Sequence, residues 1–287
     1  MADRKRQPQT PGPPVEFVVP PVNVVTDLHG DPGARLVVLL NGNQWMVLPD
    51  LLASFTAAHP DHGDLFVETL PPGILVAQVR HGALQMGSLR LSVRPDVLAA
   101  APGVLEQLHG EGLVDAPVRY ASNDLALLVA PGNPLGITDW PDLARPEVRV
   151  AMPDPAIEGV GELIARALTA AGGVKLRERV MTTGADRGTT RYTRIHHRQS
   201  PAWIDAEEVD VAPVWTTEAR THDPAGVQTV SLPPASNITG HYAAARVRAG
   251  TNPAGATAFL QHLTSPPGQE VYRSHGFAGP IGDRGDT

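Results

Sequence analysis

The strongest constraint on this chain is an alternation between two hydrophobic periods. Leu36-Val37-Val38-Leu39-Leu40 is an unbroken apolar run of strand length, closed by Asn41-Gly42-Asn43. From Trp45 to Ala58 the apolar residues Met46, Leu48, Leu51, Leu52 and Phe55 follow a helical spacing, ended by Pro60 and Gly63. The alternation then repeats. Leu65–Leu70 reads as a strand, Pro71-Pro72-Gly73 as a loop and Ile74–His81 as a helix. Further strands are expected over 86–93, 125–129, 148–152 and 209–214. Further helices are expected over 104–109, over 139–144 with Thr138 as cap, and over 159–171 up to Gly172-Gly173. A last helical region, 259–272, is interrupted by Pro266-Pro267. Strands alternating with helices predict an α/β fold rich in parallel sheet. Residues 1–34 are expected as a disordered or extended N-terminal tail and 281–287 as a flexible end.

Composition narrows the chemistry. The chain has 287 residues, a net charge of −7 and no cysteine. A disulfide framework, a thiolate nucleophile, a cysteine zinc site and an iron–sulfur cluster are therefore excluded. A net negative chain without a basic block lacks the phosphate-neutralising charge of a nucleic-acid binder. No apolar stretch reaches the roughly 18–20 residues of a membrane span. The basic start Arg4-Lys5-Arg6 runs into a polar, proline-rich segment rather than the apolar core of a signal peptide. The expectation is cytoplasmic as written, or periplasmic or extracellular with a signal trimmed.

Candidate site residues fall where α/β sheets bind ligands, beyond the C-terminal ends of strands. Asn41, Asn43 and Gln44 follow the first strand, Thr69 and Gly73 the second, and Pro155 and Ala156 the strand at 148–152. Each opens a helix, whose first-turn amides and dipole favour an anion. Thr193-Arg194-Ile195-His196-His197-Arg198-Gln199 is the sharpest segment. It reads as a solvated polar loop, or as a cationic clamp in which Arg198 grips an oxyanion with His196 or His197 as a second donor. A metal site is a third reading, for which the two histidines lack the spaced carboxylates that would make it convincing; the expectation is no metal, and no cofactor. Trp215 is either a core aromatic or a pocket wall. The remaining histidines read as surface residues. No GxSxG, GxxxxGK[ST] or GxGxxG motif is present.

The order of these segments resembles the periplasmic molybdate-binding proteins and, more widely, type II solute-binding proteins. The resemblance is carried by Asn41 to Gln44, Glu68 to Leu75, Tyr120 to Val129 with Gly132-Asn133-Pro134, Leu143 to Pro155, and Val209 to Ala219. It covers about residues 35–280. It implies two α/β lobes joined by crossing strands, with ligand in the cleft between them. Lobe one would be 35–121 plus 236–280, and lobe two 122–235. It also implies ligand contacts at Asn41 to Gln44, Thr69 to Gly73, Pro155-Ala156, near His197 to Gln199, and at Trp215. Where molybdate binders usually offer serine hydroxyls and a tyrosine, this chain offers Asn43, Thr69 and Trp215, and adds His196, His197 and Arg198. Molybdate, a carboxylate and a phosphonate remain alternatives.

Two classes of function follow. The first is a solute-binding protein that captures a small anion for ABC-type import, monomeric and partnered by a permease. The second is a cytoplasmic enzyme on the same fold, as in chorismate dehydratase, with His196 or His197 as general base and Arg198 orienting a carboxylate. A non-catalytic ligand sensor is a third use of the same cleft.

Overall fold

The computed structural model describes residues 17–19, 22–25, 27–86, 89–156, 158–193, 199–221 and 227–280. Near the N-terminus, β1 (Phe17–Val19) and β2 (Val22–Val25) pair antiparallel. The chain then enters its first sheet at β3 (Leu28–Gly30), earlier than the expected start at 35. The apolar run becomes β4 (Leu36–Asn41), and a 3-10 turn over Gly42–Val47 leads into α1 (Leu48–Ala58). The helix thus starts later than its periodicity suggests, because Pro49 suits the first turn and not the interior.

β5 (Leu65–Leu70) is followed by α2 (Pro72–His81). The single strand expected over 86–93 is instead a hairpin of β6 (Leu84–Met86) and β7 (Leu89–Leu91). The third parallel strand is β8 (Val97–Ala100), followed by α3 (Pro102–Gly110). β9 (Val118–Asn123) completes the sheet on one edge, beside β15 (Gly240–Arg246). The order is β3-β5-β4-β8-β15-β9. Only β5, β4 and β8 are parallel; β3, β15 and β9 run antiparallel to their neighbours. The sheet is therefore more mixed than the alternation predicts.

The apolar stretch 120–130 is split between two sheets at Asp124. β10 (Leu125–Val129) belongs to the second sheet, with β11 (Val150–Met152), β12 (Thr190–Tyr192), β13 (Val211–Trp215) and β14 (Gln228–Ser231), in the order β12-β11-β13-β10-β14. Its helices are α4 (Gly159–Arg177), α5 (Gly184–Arg187), α6 (Gln199–Asp205) and α7 (Thr216–Thr221). α4 breaks at the expected place: Gly172 and Gly173 leave helical geometry, Gly173 with φ +70°. The short helix expected from 139 is a 3-10 turn over Trp140–Ala144. Its cap is Asp139 and not Thr138, whose N–H and hydroxyl both donate to Asp142.

After β14 the chain returns to the first sheet and ends in α8 (Pro253–Thr264) and α9 (Pro266–Ser274). Pro266 opens the second of these helices, where its missing N–H costs nothing.

Both sheets are buried on both faces. In β4, Leu36, Val38 and Leu40 pack into one cluster and Val37 and Leu39 into another. A strand covered on both sides needs an unbroken apolar run, which is why it was legible. The second sheet does the same with Leu125 and Leu127 on one face and Ala126 and Leu128 on the other. One histidine counted with the surface is core: His262 is 2% exposed and packs edge-on to Phe55.

Candidate functional site

Four connections carry the chain from a sheet into a helix beside one cavity of about 670 Å³. In the first sheet these follow β4 (Asn41-Gly42-Asn43), β5 (Pro71-Pro72-Gly73) and β8 (Ala101-Pro102). In the second, Pro155 and Ala156 lead into α4. The N-cap residues of α2, α3 and α4 are Pro71, Ala101 and Glu158. None makes a side-chain capping bond, and all three line the cavity. The first amides of a helix have no i−4 carbonyl within it; here Ile74, Val104 and Gly161 turn back to the N-cap carbonyls, and the amides before them face water or ligand. Pro72 and Pro102 each remove one donor, leaving Gly73 and Gly103 as the first amides of their helices.

Of the residues singled out in the sequence, Asn41, Asn43, Thr69, Gly73, Pro155, Ala156 and Trp215 line this cavity. Gln44 does not. It is fully buried, and its amide oxygen accepts hydrogen bonds from Tyr120 (2.9 Å) and Tyr272 (2.7 Å). Burial raises the pKa of both phenols, which hold their protons and donate. Gln44 therefore organises the core behind the loop. His196, His197 and Arg198 lie outside the described residues.

The hydroxyl and amide expected as ligand donors have protein partners. Thr69 Oγ1 donates to Asp27 Oδ1 at 3.1 Å, and Thr69 N donates to the Asp27 carbonyl at 2.9 Å. Asn43 Nδ2 donates to the Tyr242 hydroxyl. On the opposite wall Thr193 Oγ1 donates to Glu158 Oε1 at 2.5 Å. Asp27 and Glu158 both line the cavity and are 4% and 6% exposed. The cavity walls thus carry two carboxylates beside the helix ends, each held by a threonine hydroxyl. Glu162 and Arg166, an exposed pair of opposite charge one turn apart on α4, line it as well.

Trp215 serves as both core and wall. It is 7% exposed, belongs to the core of the second sheet and faces the cavity. Its ring centroid is 6.0 Å from that of Tyr242 in β15, so aromatic contact links the two sheets at the cavity. The sequence reading missed Asp27, Glu158 and the segment Thr239 to Tyr242. Asp27 lies in the stretch read as a tail. Thr239 to Tyr242 lies on the return crossing, where spacing marks a strand but not a binding wall.

Comparison with known proteins agrees with this geometry. The family of bacterial extracellular solute-binding proteins matches residues 36–278. The molybdate-binding protein ModA of Mycobacterium tuberculosis (strain H37Rv) is 25% identical over 231 residues, 79% of this chain and 82% of that protein. The periplasmic molybdate-binding protein of Azotobacter vinelandii superposes with a TM-score of 0.67 at 17% identity, over 85% of this chain and 99% of that one. The sulfate-binding protein SubI from M. tuberculosis H37Rv gives 0.66 at 19% identity, over 87% of each. Solved structures at these identities attest the two-lobe fold. The family match spans the second sheet, every strand of the first but β3, and all of the cavity's lining but Asp27, and on that ground this chain belongs to the bacterial extracellular solute-binding proteins.

Proposed function

We propose that this chain captures a small anion in the cleft between its sheets and delivers it to an ABC-type importer. The observation that carries this reading is the set of uncapped N-termini of α2, α3 and α4, drawn from both sheets onto one cavity. Each such end carries roughly half a positive charge and outward amide donors. Three of them together make an anion seat. In this reading 35–121 plus 236–280 form one lobe and 122–235 the other, and they close around the solute by bending at the crossings. Arg198 adds a bidentate clamp. The protein works as a monomer, and the ligand class is a molybdate-like oxyanion, a carboxylate or a phosphonate. Relatives named as molybdate- and sulfate-binding support an anion.

Thermal denaturation with molybdate, tungstate, sulfate, phosphate, phosphonates and small carboxylates tests it. A ligand at about 100 times its Kd adds about 2.7 kcal/mol, a rise of roughly 4–5 °C for a chain of 287 residues. Gly73→Asp is the matching control. A Cβ at 73 meets nothing within 4 Å, and a carboxylate in the first turn suits the helix. That variant should fold as well as the native protein and lose the anion-induced shift. No shift with any anion overturns the reading.

A further inference from the structure

We infer that the solute of this cleft is an elongated organic anion with two acidic groups, one seated on the helix ends and the other held by Arg166 of α4. The inference rests on the anion seat proposed above and extends it along the cleft.

The cavity follows one face of α4. Gly159, Glu162, Leu163 and Arg166 all line it, and offsets of three, four and seven residues set them on one stripe of the helix. Gly159 begins the helix, so the stripe starts at the anion seat. Arg166 stands seven residues on, about 10 Å along the axis at about 1.5 Å per residue. A long side chain on a helix leans back over the preceding turn, which brings the guanidinium to within about 5 Å of the seat along that axis. Arg166 is exposed and has no hydrogen bond or ion pair with any described residue. Its planar fork of donors matches a carboxylate or a phosphonate.

Apolar side chains lie along the same path. Leu163 sits between the helix start and Arg166 on the stripe, and Trp215 adjoins it: a Cβ on Gly240 would lie 3.4 Å from Leu163 Cδ1 and 2.3 Å from Trp215 Cη2. Val104 of α3 also lines the cavity and is 37% exposed. Such walls gain by covering a hydrocarbon segment and offer nothing to a bare, hydrated oxyanion. Size points the same way. About 670 Å³ lies within the range of sites for organic ligands. A tetrahedral oxyanion, with about five heavy atoms at about 30 Å³ each, fills roughly a fifth of it.

Glu162 stands on the same stripe four residues before Arg166 and is exposed. Its charge opposes a second acidic group, and its position makes it the local competitor for the guanidinium. The two form no ion pair, so Arg166 is open to the solute.

The test is isothermal titration of the full chain with two matched pairs, 3-phosphonopropionate against propylphosphonate and succinate against butyrate, with molybdate alongside. The pairs separate the phosphonate and carboxylate sources of the seated group. In at least one pair the compound with two acidic groups should bind at least about tenfold more tightly, the worth of one charge-assisted contact. Arg166→Gln should bring that ratio toward one, and Glu162→Gln should raise it. Both residues are exposed, so neither variant disturbs the core, and the ratio is internal to each protein. Ratios near one in both pairs, a ratio that survives Arg166→Gln, or molybdate binding more tightly than every organic anion overturns the inference and leaves the anion seat standing. Failure of every anion to bind overturns the anion seat and this inference together.

Discussion

The indole of Trp215 occupies the space that a side chain at residue 240 would need. A Cβ built on Gly240 would lie 2.3 Å from Trp215 Cη2 and 2.7 Å from Cζ3. Trp215 ends β13 of the second sheet and Gly240 begins β15 of the first, so the contact bridges the sheets beside the cavity. Gly240→Ala must therefore move the ring. Overpacking of this kind costs about 1–3 kcal/mol. The expected result is a lower Tm, weaker ligand binding and a red shift in the fluorescence of Trp215. The emission is read as a difference against Trp215→Phe, because the chain has four tryptophans. An unchanged Tm and emission would show that the indole does not depend on the glycine.

Glu68 makes the protein less stable as pH rises. It is fully buried in β5, Gln78 Nε2 donates to its Oε1 at 2.9 Å, and its Oε2 has no partner. Burial pushes its pKa up from an ordinary 4.5 to about 7, against the smaller lowering effect of Gln78. Between those values the folded chain keeps the proton and the unfolded chain has lost it. Stability should fall from about pH 4.5 to about pH 7 and level off above, by about 3 kcal/mol in all. Glu68→Gln keeps the shape and cannot ionise. Urea melts at pH 5, 6, 7 and 8 should show that slope reduced in the variant, with the variant more stable than native at pH 8. A variant that retains the native slope would assign it to other groups.

His262 works in the opposite direction. Its ring lies edge-on to Phe55 at 5.5 Å and to His59 at 5.8 Å, and its Nε2 has no partner. Burial, helped by the neighbouring His59, lowers its pKa below the ordinary 6.5. As pH falls through 6.5 the unfolded chain binds a proton that the folded chain refuses, so stability is lost toward acid. His262→Phe preserves the aromatic packing and removes an unsatisfied buried atom worth about 1 kcal/mol or more. The variant should melt higher than native, by a margin that widens from pH 7 to pH 5. A constant margin would leave the unpaired atom as the explanation and discard the titration.

What was legible in the sequence follows from where periodicity is strong. β4 and β10 are continuous apolar runs over 36–40 and 125–129 because both faces are covered, β5 opens on Leu65-Phe66-Val67, and the positions of all three could be read almost to the residue. β8 could not: Val97-Leu98-Ala99-Ala100 is short and half alanine, and the neighbouring hairpin has the stronger pattern. β12 and β14 are short and largely polar, so their pairing depends on tertiary neighbours. The site divided in the same way. Loops at strand ends could be named because α/β topology places ligands there. Gln44 stands one residue beyond Asn43 in a polar run, and only the fold turns it toward Tyr120 and Tyr272. Asp27 and Glu158 needed the third dimension, since a single carboxylate beside a loop carries no signal until it is seen buried against a cavity.

The crossing between the sheets depends on Asn237. Its Oδ1 accepts from Leu125 N at 3.2 Å and from Ile238 N at 2.8 Å, and its Nδ2 donates to the Leu125 carbonyl at 2.9 Å. One side chain thus does what a paired strand would do for the first residue of β10, and joins the outgoing crossing to the returning one. Leu125 is 1% exposed, so removing the amide leaves buried backbone groups unmatched, at about 1–3 kcal/mol each. Asn237→Ala should lower stability by about 2 kcal/mol or more and speed hydrogen exchange at the Leu125 amide. Asn237→Asp keeps the acceptor and loses the donor, so it should retain protection of that amide better than alanine does. Exchange measured by NMR separates the two: a graded loss from Asn to Asp to Ala fits the side chain as a surrogate strand. Equal protection in all three would mean that β13 and β14 alone hold the crossing in place.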